Sequence, residues 1–394
     1  MPEEYTENSS YETETSGAAK LREPRGSLRG ATHTVIERAR YSEDGGKLAL
    51  LHGSPRGATP TANERDQCSE DGGKLALWLA PLAGVTIPPV RLFFSRLGAE
   101  ITHTEMVSAS GLLYKNKKTK SMLEILPGES PVVLQLFAGD ADSLVRAADF
   151  ALAVSETNKL QNGAASFYAL GINMACPMPK VQKRGAGAKL LEYPEIAFSM
   201  VKELKKIGLP VWVKVRKTPQ KNCLTTYQFI EGLIEAGADN VCLHGRTPAQ
   251  RYDGIADKEI VCGIARAFPG KISGSGDVYA HEDARVYLDA GCVGVMAARG
   301  ALANPFIFRS DPSYPPAEEQ LSLLAQFGRD VSELAGPRVA VIMVKRLLAG
   351  LLKGICGSGV FRREVARELN YERIAFLIEQ GIAKNSVECG VQCH

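Results

Sequence analysis

PEIAFSMVKELKKIG at 194–208 runs into PVWVKVR at 210–216, and this junction decides the fold class. In the first stretch Ile196, Ala197, Met200, Val201 and Leu204 recur at three and four spacing, which lays one apolar stripe along a helix. Gly208 ends that stripe. In the second stretch Val211, Trp212, Val213 and Val215 supply the β-branched and aromatic residues of a strand covered on both faces.

The same alternation repeats in both directions. Upstream lie LALWLAP (75–81), EITHTEM (100–106), PVVLQLF (131–137) and YALGINM (168–174). Downstream lie DNVCLHGR (239–246), KISGSGD (271–277) and VGVMAARG (293–300). Helical periodicity fills 143–156, 226–237 and 281–291 between them. Eight strand–helix units over residues 75–308 predict an α/β fold, a (β/α)8 TIM barrel. A doubly wound sheet would carry a G-x-G-x-x-G turn after its first strand, and LAPLAGVT (79–86) has none. RSDPSYPP (309–316) marks a boundary. Periodic stretches at 317–336, 339–355, 361–370 and 371–381 predict a small all-helical C-terminal domain over 317–385.

Residues 24–50 and 51–77 are an imperfect tandem duplication at an offset of 27: SEDGGKLAL stands at 42–50 and again at 69–77. Residues 1–74 are rich in Gly, Ser, Thr and charge, so they cannot bury enough apolar surface to offset their ordering entropy. They are expected to be disordered and dispensable for folding. They hold 13 acids and 10 bases, so the rest of the chain carries a net +6 out of a formal total of +3. A modestly basic body suits a nucleic-acid substrate and a small anionic metabolite alike.

The first twenty residues are polar and acidic, unlike a secretory or organelle leader, and no apolar run is long enough to span a bilayer. Nine scattered cysteines form no disulfide framework. A reducing, cytoplasmic location is expected, with no membrane. Cys389, Cys393 and His394 match no zinc spacing, so no metal is expected.

Barrel enzymes work at the C-terminal ends of their strands. Here those ends carry Glu105, Gln135, Asn173, Lys214, Arg216, His244, Arg246, Asp277 and Arg299, with Cys176 on the loop beyond the fourth strand. A packed core has little reason to gather so many polar groups at equivalent positions. A strand-end Lys214 can also serve structurally, paired with Glu105. Glycines in SGSGD (273–277) and ARG (298–300) let backbone N–H groups approach a phosphate, with Arg299 as a bidentate clamp. Cys223, Cys242, Cys262 and Cys292 read as small core residues, whereas Cys176, followed by proline on an active-site loop, does not.

LAPLAGVT (79–86), HTEMVSASGLLY (103–114), PVVLQLFAG (131–139), INMACPMPKV (172–181), VKVR, HGRT, SGSGD and ARGALANPFIF (298–308) occur in order. In this series the chain resembles the tRNA-dihydrouridine synthases, which are FMN-dependent. The resemblance implies reduction of the C5–C6 double bond of tRNA uridines, with hydride from reduced flavin to C6, a proton from Cys176 to C5, and NADPH as electron source. It implies that Pro81, Leu82, Gln135, Lys214 and His244 bind the flavin. It implies that Ser275, Gly276, Asp277, Ala298 and Arg299 hold its phosphate. Asn173 and Arg246 would meet the substrate, Arg246 at the mouth. The helical domain would bind tRNA through Lys345, Arg346, Lys353, Arg362, Arg363 and Arg367, in a chain expected to be monomeric.

The chain departs from the family pattern at Ala175, in place of Gly, at Ser275, in place of Asn, and at Lys258, in place of Trp. Two other functions remain open at this point. One is an FMN-dependent oxidoreductase of a free small molecule, which needs no basic helical tail. The other is an RNA-binding protein without catalysis, which needs no flavin.

Overall fold

The computed structural model describes residues 74–163, 165–220, 224–355 and 357–391. The tandem repeat up to residue 73, and with it the expected disorder, lies outside the described residues, as does Cys223.

Nine parallel strands make one sheet: β1 Leu77–Leu79, β2 Thr102–His103, β3 Val107–Ser108, β4 Val132–Phe137, β5 Ala169–Met174, β6 Val211–Arg216, β7 Asn240–His244, β8 Ile272–Ser275 and β9 Val295–Ala297. Their order is β1-β9-β8-β7-β6-β5-β4-β2, with β3 also on β4. A parallel bridge from Trp78 to Ile101 joins the first stave to the second and closes the barrel. The eight expected staves are present, but the second, read as 100–106, is split. Thr104 Oγ1 receives the Gln135 N–H at 2.9 Å, so a side chain replaces the ladder partner between β2 and β3.

Helices α1 Pro88–Arg96, α2 Ala109–Leu113, α3 Ala141–Asn162, α4 Pro194–Lys205, α5 Thr226–Glu235, α6 Lys258–Ala267, α7 His281–Leu288 and α8 Arg299–Ala303 alternate with the staves. Their apolar stripes and the outward strand residues form one large core. Inward residues form a second, which includes Trp78, Val133, Ala169, Trp212 and Met296. Trp78 and Trp212 stack there with centroids 4.8 Å apart. A Cβ on Gly294 would stand 2.2 Å from the Trp78 ring, so only glycine admits this plug.

Helices α9 Ala317–Ala335, α10 Pro337–Leu351, α11 Ser358–Arg367 and α12 Tyr371–Val391 form the C-terminal helical region, the last running past the expected end at 385. The region is fixed to the barrel's flank. Phe327 packs on Phe93 at 4.8 Å, Arg96 pairs with Asp330, and a Cβ on Gly350 would collide with the Leu302 carbonyl at 2.0 Å. Among the described residues no helix is long and apolar enough to cross a membrane, and no cluster of metal-ligating side chains occurs.

Candidate active site

Alternation along the strands sends Trp212, Lys214 and Arg216 inward at successive heights on β6. Register places Lys214 beside Asn173 on one side and Cys242 on the other, and sets Arg216 beside His244. His244 in turn pairs with Ser275. The barrel interior therefore rises from an aromatic plug to a polar upper layer. Above that layer opens a cavity of about 450 Å3, in the range of small-molecule sites. Its wall includes Pro81, Leu82, Asn173, Cys176, Lys214, His244, Ser275, Gly276, Asp277, Ala298 and Arg299.

Two sequence-expected residues lie elsewhere. Gln135 pairs in register with Gly171, one layer below Asn173, and borders only a small space beneath the main cavity. It accepts the Asn173 Nδ2–H at 2.9 Å. Arg246, expected at the mouth, is 2% exposed. It grips both Asp277 oxygens at 2.8 and 2.6 Å and donates to the carbonyls of Asp253 and Gly254. Strand periodicity carries no information on such a partner 31 residues away.

Asn173 braces the loop that carries Cys176. Its Oδ1 accepts from the Ala175 and Cys176 N–H groups at 3.2 and 2.9 Å. With Nδ2 donating once to Gln135, one amide N–H is left for a ligand. Arg216 Nε holds the Ala175 carbonyl at 2.9 Å, and the Ala188 N–H holds that of Cys176 at 2.9 Å. The Ala175 methyl is buried on the cavity wall. Burial pushes the Cys176 thiol upward, against smaller lowering influences from the Met178 N–H and Arg216. The thiol therefore keeps its proton at neutral pH.

Lys214 is not paired with Glu105, whose carboxylate takes the Gly84 N–H instead. Its Nζ lies 3.4 Å from Ser275 Oγ and 3.9 Å from Cys242 Sγ. Among the described residues no carboxylate pairs with it, and burial lowers its pKa. A half-buried, weakly partnered amine on a cavity wall, its pKa lowered by desolvation, holds its proton best beside an anionic or strongly accepting ligand.

At the far end Gly276 has φ +120°, and a Cβ there would stand 2.8 Å from Ala256 and His244. Only glycine permits that path, which brings backbone to the cavity edge. The Asp277 carboxylate turns away, to Arg246, Arg299 and the Ala256 N–H. Asp277 thus braces the loop with its side chain. Arg299 already commits Nη2 to Asp277 at 2.9 Å, so it is not free to clamp an anion with its whole fork.

Sequence reasoning gave Tyr252 no role. It is 58% exposed, borders the cavity, and lies under the guanidinium groups of Arg299 and Arg216 at 5.0 and 5.8 Å. The available signal was an aromatic residue in the Asp- and Gly-containing loop after β7. Lys258, at the Trp-to-Lys departure, is not part of the cavity wall: it pairs with Asp283 at 2.8 Å and joins α6 to α7.

His103 and His244 are buried and neutral. Burial takes His103 down to about 3, opposed in part by its bond to the Leu79 carbonyl. Burial, with Lys214, Arg216, Arg246 and Arg299, takes His244 down to about 2. The Arg246 contact to His244 Nε2 at 3.4 Å assigns the ring proton to Nδ1. Both folded values lie below the unfolded value of about 6.5, so the unfolded chain binds protons that the folded chain refuses. Stability is predicted to fall as pH drops from about 6.5 towards 3, by up to about 2 kcal/mol per histidine at pH 5. Melting temperatures measured at pH 7 and 5 check this, and equal values would refute it.

Residues 78–384 match the protein family described as "Dihydrouridine synthase (Dus)". The chain is 34% identical over 241 residues to a probable tRNA-dihydrouridine synthase of Treponema pallidum (strain Nichols), covering 58% of this chain and 68% of that one. It is 29% identical over 316 residues to probable tRNA-dihydrouridine synthase 1 of Synechocystis sp., covering 77% and 85%. It is 32% identical over 284 residues to tRNA-dihydrouridine synthase B of Vibrio cholerae, covering 66% and 83%.

Proposed function

The chain belongs to the dihydrouridine synthase family, and from that premise we propose that it reduces the C5–C6 double bond of uridines in transfer RNA, with FMN as cofactor and NADPH as electron source. The observation that carries this reading is one cavity whose wall holds both a buried, protonated thiol and a half-buried lysine amine without a carboxylate partner. These residues fit a flavin. Lys214 offers positive charge to an electron-rich ring edge, and neutral His244 offers a hydrogen bond. Pro81 and Leu82 would give apolar contact, and backbone at 275–277 and 298–299 would hold the phosphate. Bound FMN, once reduced, supplies hydride to C6 of the base.

Cys176 gives its proton to C5. Its raised pKa keeps the acid loaded at neutral pH, and the Met178 N–H and Arg216 ease the charge left on sulfur. Asn173 holds the loop that aims the thiol and keeps one amide N–H for the flavin or the base. Tyr252 offers an exposed ring on which a base can stack.

The helical region would hold the RNA beside the mouth. Arg346 reaches the Gly84 carbonyl in the loop that borders the cavity, and Arg363 and Arg367 are exposed on α11. Nucleoside mass spectrometry of tRNA from cells with and without the chain tests the reading. Dihydrouridine should disappear at specific positions in its absence, and an unchanged nucleoside profile would refute it.

A further inference from the structure

The stretches 106–123 and 177–191 contain no aspartate or glutamate. The first carries Lys115, Lys117, Lys118 and Lys120, and the second carries Lys180, Lys183 and Arg184, all seven exposed, besides Lys189, which pairs with Glu192. Among the described residues none of the seven has a carboxylate in salt-bridge range. Several other lysines of the barrel are paired: Lys159 with Glu156, Lys205 with Asp239, Lys206 with Glu203 and Lys217 with Asp257. Unneutralised charge is densest here: Lys202, Arg266 and Arg285 are also exposed without an ion pair, but each stands singly on its helix.

The ridge is built, and it begins at the cavity. Asn116 caps the one-turn helix Lys117–Ser121 by accepting the Thr119 N–H at 3.0 Å. That turn lies so close to α2 that a Cβ on Gly111 would stand 2.8 Å from Thr119 Oγ1. Arg184 donates to Ser110 Oγ at 3.4 Å and joins the two segments. Pro177 and Met178, at the start of the second segment, are themselves cavity wall. Tyr114 stands 87% exposed among the cations.

We propose that this ridge, on the barrel and separate from the helical region, is a second RNA-binding surface that grips the sugar–phosphate backbone beside the target uridine. The inference rests on the proposed reading of the substrate as tRNA. A dense row of exposed, unpaired cations meets a polyphosphate by counterion release, and an exposed tyrosine among them stacks on an unpaired base. Together with Arg346 at the β1 loop, the ridge makes a cationic arc from the first stave to the fourth. The folded RNA then lies over that side of the mouth.

The test uses the full-length chain in titrations with tRNA over a series of salt concentrations. The variant Lys115→Gln/Lys117→Gln/Lys118→Gln/Lys120→Gln should bind tRNA about tenfold or more weakly, with a log–log salt slope smaller by about 2–3. The matching Lys→Arg variant should bind like wild type. Wild-type affinity and slope in the Gln variant would overturn the proposal, and so would an equal loss in the Arg variant, since charge would then not be the cause. The binding measurement needs no turnover. A wild-type chain that binds tRNA through the ridge but forms no dihydrouridine would overturn the proposed reaction and leave the ridge standing.

Discussion

Cys176→Ala is expected to lower reduction of tRNA uridine by about 10²–10⁴-fold, the usual contribution of a placed general acid. Folding, FMN content and flavin reduction by NADPH should stay near normal. Cys176 makes its loop contacts through backbone N–H and C=O groups, which alanine keeps. Cys176→Ser should resemble alanine, because a hydroxyl is a far weaker acid than a thiol. Stopped-flow measurement of the two half-reactions separates the effects. Normal uridine reduction in Cys176→Ala would place the proton source elsewhere. Loss of flavin or of the fold would make Cys176 a packing residue.

Lys214→Met acts on the other half of the chemistry. The substitution retains much of the side-chain volume and deletes the ammonium. Removing a charged hydrogen-bond partner of this kind costs about 1.5–3 kcal/mol, which is about 10–100-fold in FMN affinity. Fluorescence titration of flavin-free protein with FMN measures it. An unchanged dissociation constant would show that Lys214 is no part of the flavin site. Because the wild-type ammonium has no carboxylate partner, its loss leaves no orphaned anion, and the variant should fold.

The barrel was legible because strands covered on both faces and amphipathic helices leave different periods in the sequence, as at 194–216. That Cys176, Lys214, His244 and Ser275 share one cavity wall was legible too, since strand ends face the mouth in every such barrel. Height within the barrel was not. Gln135 and Asn173 both point inward, yet register sets Gln135 one layer down, where it serves Asn173. Arg246 reads as a strand-end cation, but Asp277 draws it into the wall through a contact between two staves. Tyr252 depends on the path of the loop after β7, for which no periodicity exists. The split second stave follows from one threonine hydroxyl entering the ladder, which composition does not reveal.

Nucleoside mass spectrometry of unmodified tRNA incubated with FMN-loaded chain and NADPH tests uridine reduction most directly. The predicted result is dihydrouridine at defined positions, formed with NADPH consumption and nearly abolished in Cys176→Ala. NADPH consumption with no dihydrouridine in the tRNA would contradict it.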